Sequence, residues 1–352
     1  MTPKLKKIIA LCLTITLLSI VVFVVSPVYF AEPRQPSSAI PIAVLGDSDS
    51  HSYRDKFDNK ARGGEYHDVT FNWPALWDRF RSDEVNLGRF DEWGESYRLA
   101  RIKYWLGLPA RAPKKLDFEY NYAVSGLRCE SLLASWPYQA KWLIQRLQRS
   151  PEFWQKGIVI IRIGVNDLGS TEQLIRWSKT GLDEMASKTV SSCTKHISET
   201  IEAILTAHPT IKVTVMGMCR SCNLTDTYKV WPDIENIQNR DAVMSAYDQD
   251  LEGFASNQQR VLFIDDVQWL KQRYGDRYSE TMSFETKLAE QVDIYSKAGD
   301  HPSNLILSDL HSGTVYNAFW LNNLIGQMNN GFDLRLTPIN EKDVLSVIEP
   351  VL

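Results

Sequence analysis

A basic surplus is missing from this 352-residue chain: 39 Lys and Arg stand against 43 Asp and Glu, a formal net charge of −4 at pH 7. A nucleic-acid partner would usually leave a basic footprint, so none is expected. The two signs are also interspersed, which argues against a charge-driven function. Internal repeats and low-complexity segments are absent too. What remains is an ordinary globular composition, 44% hydrophobic and 23% charged, with enough apolar material for one sizeable core or two small ones.

Cysteine is scarce. Of the five, Cys12 lies in an apolar N-terminal stretch, which leaves Cys129, Cys193, Cys219 and Cys222. Four cysteines permit two disulfides in three pairings. Cys219-Arg220-Ser221-Cys222 reads as a local disulfide, a redox pair or half a zinc site. No second close Cys or His pair accompanies it, so zinc is disfavoured and a local disulfide or buried thiols are expected. No thioredoxin-like strand-helix unit surrounds the pair, which ranks redox chemistry last.

One long apolar run is present. Lys4, Lys6 and Lys7 precede a charge-free stretch from Ile8 to Val25. As a helix it would be about 27 Å long, close to the hydrocarbon thickness of a bilayer. Its exit, Ser26 to Ala31, lacks a clean small-x-small pair, so an uncleaved signal-anchor is favoured over a cleaved signal peptide. Either reading places the rest of the chain outside the cytoplasm, periplasmic or extracellular, with a membrane as the first expected partner. Residues 31–40, with Pro33, Pro36, Ser37 and Ser38, read as a linker.

Beyond the linker, short apolar runs recur at Ile42–Leu45, Phe118–Val124, Ile158–Ile163, Ile211–Met216 and Val261–Ile264. Strands with little sign of a polar face are expected where a parallel sheet is covered on both sides. Helical spacing fills the gaps: over Trp136–Leu147, through Ile197, Ile201, Ile204 and Leu205 up to His208-Pro209, and through Leu321, Leu324, Ile325 and Met328. Alternating strands and helices predict a doubly wound α/β sheet, with ligands at the carboxyl ends of its strands.

Four motifs fall at such positions. Gly46-Asp47-Ser48 comes directly after the first run and brings a hydroxyl to the mouth of the sheet, although the tripeptide alone is a common turn and a good helix N-cap. Asn121 to Gly126 ends in a glycine that can offer an unobstructed N–H donor or simply make a turn. Gly164-Val165-Asn166-Asp167 places an Asn amide where it can meet a developing oxyanion. Ser308-Asp309-Leu310-His311-Ser312-Gly313-Thr314 precedes the last amphipathic helix.

In this order the four motifs resemble those of the SGNH (GDSL-like) hydrolases, over about residues 41 to 328. The resemblance implies a three-layer, flavodoxin-like fold around a mainly parallel five-stranded sheet. It implies a hydrolase domain over 41–335, with 49–115 inserted over the active-site face and 336–352 as a tail. It further implies Ser48 as nucleophile and His311 as its general base. The oxyanion hole would comprise the Ser48 and Gly126 N–H groups and the Asn166 amide. Asp47, Gly164 and Asp167 would support the loops. This chemistry needs no metal or other cofactor.

One departure stands out. The orienting Asp of the family lies three residues before the His, and here that position is Ser308. Asp309, two before, shares a face with His311 in an extended segment and is the third member favoured. The alternative is a Ser–His dyad aided by a backbone carbonyl. Asp300-His301-Pro302 is a nearby decoy. His196 and His208 read as structural or exposed, while nothing in the sequence supports a cleft-rim role for His51, three residues beyond Ser48. Phe71, Trp73, Trp77, Phe80, Phe90 and Trp93 read as core or as a sugar or acyl subsite.

The expected activity is hydrolysis of a short acyl ester, such as acetyl, on a small-molecule, polysaccharide or cell-envelope substrate. The rival readings are acyl transfer from the same serine and an anchored binding domain without catalysis, the latter motivated by the displaced Asp.

Overall fold

The computed structural model describes residues 3–29, 38–57, 61–108, 110–218, 234–274 and 285–352. The apolar run Ile42–Leu45 forms the middle of β1 (Ile40–Gly46). Val85–Asn86 (β2), Phe90–Trp93 (β3) and Lys115–Phe118 (β4) come next, then Ile158–Arg162 (β5), Lys212–Met216 (β6) and Val261–Ile264 (β7). Five of these make one parallel sheet in the order β2-β1-β5-β6-β7. Ile42 sits opposite Ile158 and Gly46 opposite Arg162, so β1 and β5 end side by side.

Both faces of this sheet are covered. Ile42, Val44, Ile158 and Ile160 pack into one buried cluster, while Ala43, Leu45, Val159 and Ile161 pack into another. Alternation along a strand sends neighbours to opposite faces, so two cores are built from one apolar run. The first cluster takes in helices Trp73–Arg81, Thr314–Phe332 and Glu341–Ile348; the second takes in Gln139–Arg149, Glu184–Ala207 and Ile234–Ser256. This is the expected three-layer α/β arrangement. Each fully buried Ile, Val or Leu of β1 contributes about 1.5–3 kcal/mol relative to exposure.

Two segments join the core without a clear signal in the sequence. In the first cluster Trp73 packs against Trp77 and Trp320, with ring centroids 6.3 and 5.5 Å away. Phe71, Trp73 and Trp77 are thus core rather than subsite, whereas Phe90 is exposed. Residues 336–352 carry the helix Glu341–Ile348, whose Val344, Leu345, Val347 and Ile348 are buried in that same core.

The expected strand over Phe118–Val124 takes a different form. Regular pairing there is confined to β4, antiparallel to β3. Residues 120–124 instead run along β1: Val44 N–H donates to Tyr120 O (3.0 Å), Tyr122 N–H to Val44 O (2.8 Å) and Val124 N–H to Gly46 O (3.1 Å). The physical reason is an unfilled edge. β2 pairs with β1 only at Ile40 and Pro41, so the backbone groups of Val44 and Gly46 need other partners.

A second, three-stranded sheet holds Glu285–Leu288 (β8), Val292–Ala298 (β9) and Asn304–Ile306 (β10), in the order β10-β9-β8. It leads directly into the segment carrying His311. At the other end of the chain a helix spans Pro3–Tyr29. Among the described residues, no helix is long and apolar enough to cross a membrane, so the expected anchor finds no support in the structure. Cys129 and Cys193 form a disulfide across 64 residues. The expected Cys219–Cys222 pair lies outside the described residues.

Candidate active site

Ser48 sits in the turn after β1. The strand ends at Gly46, whose N–H donates to Gln139 Oε1 (2.9 Å) and whose carbonyl accepts from Gln139 Nε2 (2.8 Å). A Cβ on Gly46 would stand 2.3 Å from the Arg162 carbonyl oxygen, so only glycine allows β1 and β5 to end this close together. The chain then folds back, with the Ser50 and His51 N–H groups donating to the Asp47 carbonyl at 3.2 and 3.0 Å. Asp47 is buried, and burial, reinforced by the charge of Asp49, pushes its carboxyl well above the usual range. Its Oδ1 accepts from the Asp49 N–H at 3.2 Å.

His311 arrives from the other side of the molecule, 263 residues later, and its Nε2 lies 2.8 Å from Ser48 Oγ. A short closed loop presents it. Leu307 N–H donates to His311 O (2.7 Å), Leu310 N–H to Leu307 O (3.0 Å) and Gly313 N–H to Leu305 O (2.7 Å). Leu310 takes a left-handed conformation, φ +70°, to make the turn. Tyr53 OH donates to Ser312 O at 3.1 Å, which ties the loop to the segment just after the Ser48 turn.

Asp309 is brought to the same imidazole. Its Oδ2 lies 3.1 Å from His311 Nδ1, within ion-pair distance, although no acceptor lies in line with an Nδ1–H hydrogen bond. Its Oδ1 accepts from the His311 backbone N–H at 3.2 Å. Partial burial works to raise the Asp309 pKa. His311 and then Arg62 outweigh it and hold the carboxyl well below the ordinary carboxylate range.

Ser308, at the position where the family pattern has its acid, is occupied elsewhere. Its N–H and Oγ both donate to Asp300 Oδ1, at 3.0 and 2.9 Å, and Oγ also lies 2.8 Å from Oδ2. The decoy His301 turns to Ser303, with Nδ1 2.7 Å from its Oγ.

The remaining expected residues form a connected set. Gly126 has φ +75° and open space where a Cβ would lie, so its glycine is required by conformation rather than crowding. Gly164, φ +124°, caps the turn Val165–Leu168; a Cβ there would stand 2.8 Å from Met218 Cε. Asn166 Nδ2 donates to the Leu127 carbonyl at 2.9 Å, leaving one amide proton for another acceptor. Asp167 Oδ2 accepts from the Cys129 N–H at 2.9 Å. The segments around Gly126 and Asn166 are therefore pinned to each other, and the Cys129–Cys193 disulfide adds a covalent tie to the helix Glu184–Ala207. Cys129, Asp167 and Cys193 have potential ligand atoms within 4.8 Å of one another. Two of the three are consumed by the disulfide, which leaves no metal-binding set there.

Two residues of the site have no clear sequence signal. Arg62, buried, donates through Nε to Asp309 Oδ2 (2.8 Å), brings Nη2 to 3.2 Å from His311 Nε2, and lies 4.9 Å from the Tyr53 ring centroid. Guanidinium nitrogens only donate, so this contact keeps Nε2 an acceptor and places the imidazole proton on Nδ1. Nothing in the sequence separates Arg62 from the other arginines of its segment. His51 is the second. It is wholly buried, 0% exposed, and so does not lie on the cleft rim.

A hydroxyl in contact with an imidazole Nε2, with a carboxylate at the opposite ring nitrogen, is an arrangement that can generate an oxygen nucleophile at neutral pH. No family model matches the chain, and no curated protein matches it. Among solved structures it is similar to a family 3 carbohydrate esterase from Talaromyces cellulolyticus, at 14% identity over 84% of this chain and 100% of that one, TM-score 0.40. It is similar to an extracellular lipase from Streptomyces rimosus, at 16% identity over 66% and 82%, TM-score 0.38. A phospholipase A1 from Streptomyces albidoflavus is a third, at 13% identity over 82% and 99%, TM-score 0.39. The functional reading rests on the side chains around Ser48.

Proposed function

We propose that the chain is a serine esterase that cleaves a short acyl ester through a Ser48 acyl-enzyme. The observation that carries this reading is the 2.8 Å contact between Ser48 Oγ and His311 Nε2, with Asp309 at the other ring nitrogen. Ser48 Oγ attacks the acyl carbonyl as its proton passes to Nε2. Arg62 Nη2 shares that lone pair at rest and gives way when the proton arrives. The negative charge on the former carbonyl oxygen is met by backbone N–H groups at Ser48 and Gly126 and by the second amide proton of Asn166. Collapse of the tetrahedral adduct expels the alcohol, which takes the proton from His311. Water, deprotonated by the same imidazole, then releases the acid and restores Ser48.

The substrate we assign is an acylated carbohydrate or cell-envelope polymer outside the cytoplasm. The charge-free segment Ile8–Val25 supports export with a membrane tether, and the Cys129–Cys193 disulfide suits an oxidising compartment.

Labelling the protein with a fluorophosphonate and mapping the adduct tests the chemistry. The expected adduct is on Ser48 and is lost in His311→Ala. Ser48→Ala and His311→Ala should each lower p-nitrophenyl acetate hydrolysis by at least about a thousandfold. Full activity in either folded variant would overturn the assignment.

A further inference from the structure

Three residues beyond Ser48, His51 is packed into a polar lattice with no direct part in the steps above. Its Nδ1 accepts from the Ser125 backbone N–H at 3.1 Å and stands 3.0 Å from Ser125 Oγ. Its Nε2 is 3.2 Å from Asp55 Oδ2, and both side chains are fully buried. A backbone N–H can only donate, so Nδ1 must present its lone pair, and the single ring proton of a neutral imidazole lies on Nε2, toward Asp55. Asp55 is anchored in turn, its Oδ1 accepting from the Phe57 and Leu116 N–H groups at 3.2 and 2.8 Å. The His51 carbonyl accepts from Asn72 Nδ2 at 2.9 Å. One ring thus joins the turn that carries Ser48 to the residue immediately before Gly126.

We propose that His51 is a positioning residue that holds the Gly126 loop in register with Ser48, and that it does so only as the neutral imidazole. The proposal deepens the esterase reading and rests on it. Proton uptake at Nδ1 replaces the lone pair with an N–H, which opposes the Ser125 N–H and drives the Gly126 loop away from the developing oxyanion. The charged groups facing the ring are Asp55 on its own segment and Lys115 and Asp117 from β4. Burial first, then Lys115, lowers the His51 pKa, while the two carboxylates oppose this, so the accepting form persists at neutral pH.

The test compares His51→Leu, which deletes the acceptor, with His51→Asn, whose Oδ1 falls near the position of Nδ1 and cannot take a proton. In the full chain, His51→Leu should lower kcat for p-nitrophenyl acetate by about ten- to a hundredfold with KM within about twofold, the pattern of a lost transition-state interaction. His51→Asn should retain several-fold more turnover than His51→Leu. The acid limb of its log kcat/KM profile should fall with a limiting slope of one, against two in the parent protein, where both His51 and His311 must be unprotonated. A folded His51→Leu with unchanged kcat, or the same limiting slope in the parent and His51→Asn, would overturn the proposal. If His51→Leu does not fold, the slope comparison alone decides. Fluorophosphonate labelling separates the two readings: equal rates on Ser48 in parent and His51→Leu sink this inference alone, whereas no label in the parent sinks the esterase reading first.

Discussion

Around Ser48, the side chains of Asp47, Ser50, His51 and Ser52 are all buried; around His311, residues 308–310 are exposed. The first region is held from beneath. Asn121 Nδ2 donates to the Ser50 carbonyl (2.7 Å) and to Asp117 Oδ1 (3.0 Å), while Ser52 N–H donates to Asp117 Oδ2 (3.1 Å). Lys115 Nζ lies 2.8 Å from that same oxygen and also donates to the Ala123 carbonyl. The second region is held from the side, by Arg62 on Asp309 and by Asp300 on Ser308. A buried lattice locks position at the cost of desolvating charge, whereas an exposed turn relies on a few ion pairs that water weakens. One partner of the Ser48–His311 contact is therefore part of the core, and the other sits on an exposed turn held by its own backbone hydrogen bonds, by Tyr53 and by the Arg62–Asp309 ion pair.

The largest effect expected from this contrast is on stability. Asp117→Ala leaves Lys115 buried without its carboxylate and removes the acceptor of Ser52 N–H, so urea denaturation should show a loss of about 3–5 kcal/mol. Burial already depresses the Lys115 pKa to about 8, a sign of how costly its charge is in that place. A loss below about 1 kcal/mol would mean that the lattice is not what holds the Ser48 turn.

A smaller effect is expected on turnover. Arg62→Lys keeps a positive charge but cannot serve Asp309 and His311 from one planar fork. Ester hydrolysis should fall about tenfold, or about 1.4 kcal/mol, while the melting temperature moves by only a few degrees. Equal turnover in this variant would show that the charge alone aligns the His311 loop.

The smallest effect concerns pH. The Asp309 carboxyl is held lower in the folded protein than its ordinary value, so it adds stability above the unfolded pKa of about 4 and loses it as pH falls through the folded value. With 45% of the side chain exposed, the contribution is screened and should stay below about 1 kcal/mol. The melting-temperature gap between the parent and Asp309→Asn should be open at pH 7 and close as pH drops below about 4. A gap independent of pH would assign Asp309 a packing role instead.

Much of the fold is readable because it depends on local pattern. Val261–Ile264 forms a strand over the same four residues, and the helix expected to end near His208 ends at Ala207. Short apolar runs can serve as strands buried on both faces, and that periodicity is written in the residues themselves. The sheet of β8, β9 and β10 carries no such signal: Asp293, Ser296 and Lys297 interrupt the apolar residues of Val292–Ala298, so no continuous apolar run marks it. The helix Glu341–Ile348 reads as part of a tail because its burial comes from packing against the preceding helix Thr314–Phe332 and β8, which its own eight residues do not announce.

At the site, order along the chain points to Ser48 and His311, and the folded protein brings them into contact. Arg62 and His51 cannot be found that way. Their roles come from hydrogen bonds across 247 and 74 residues, and no local spacing encodes such contacts. The sequence by itself determined the alternation of strand and helix, and hence which loops share the carboxyl end of the sheet, because side-chain periodicity acts over a few residues. Only the tertiary structure decided which buried polar groups satisfy one another. An unpaired donor or acceptor is costly wherever it lies, and its partner can come from anywhere in the chain.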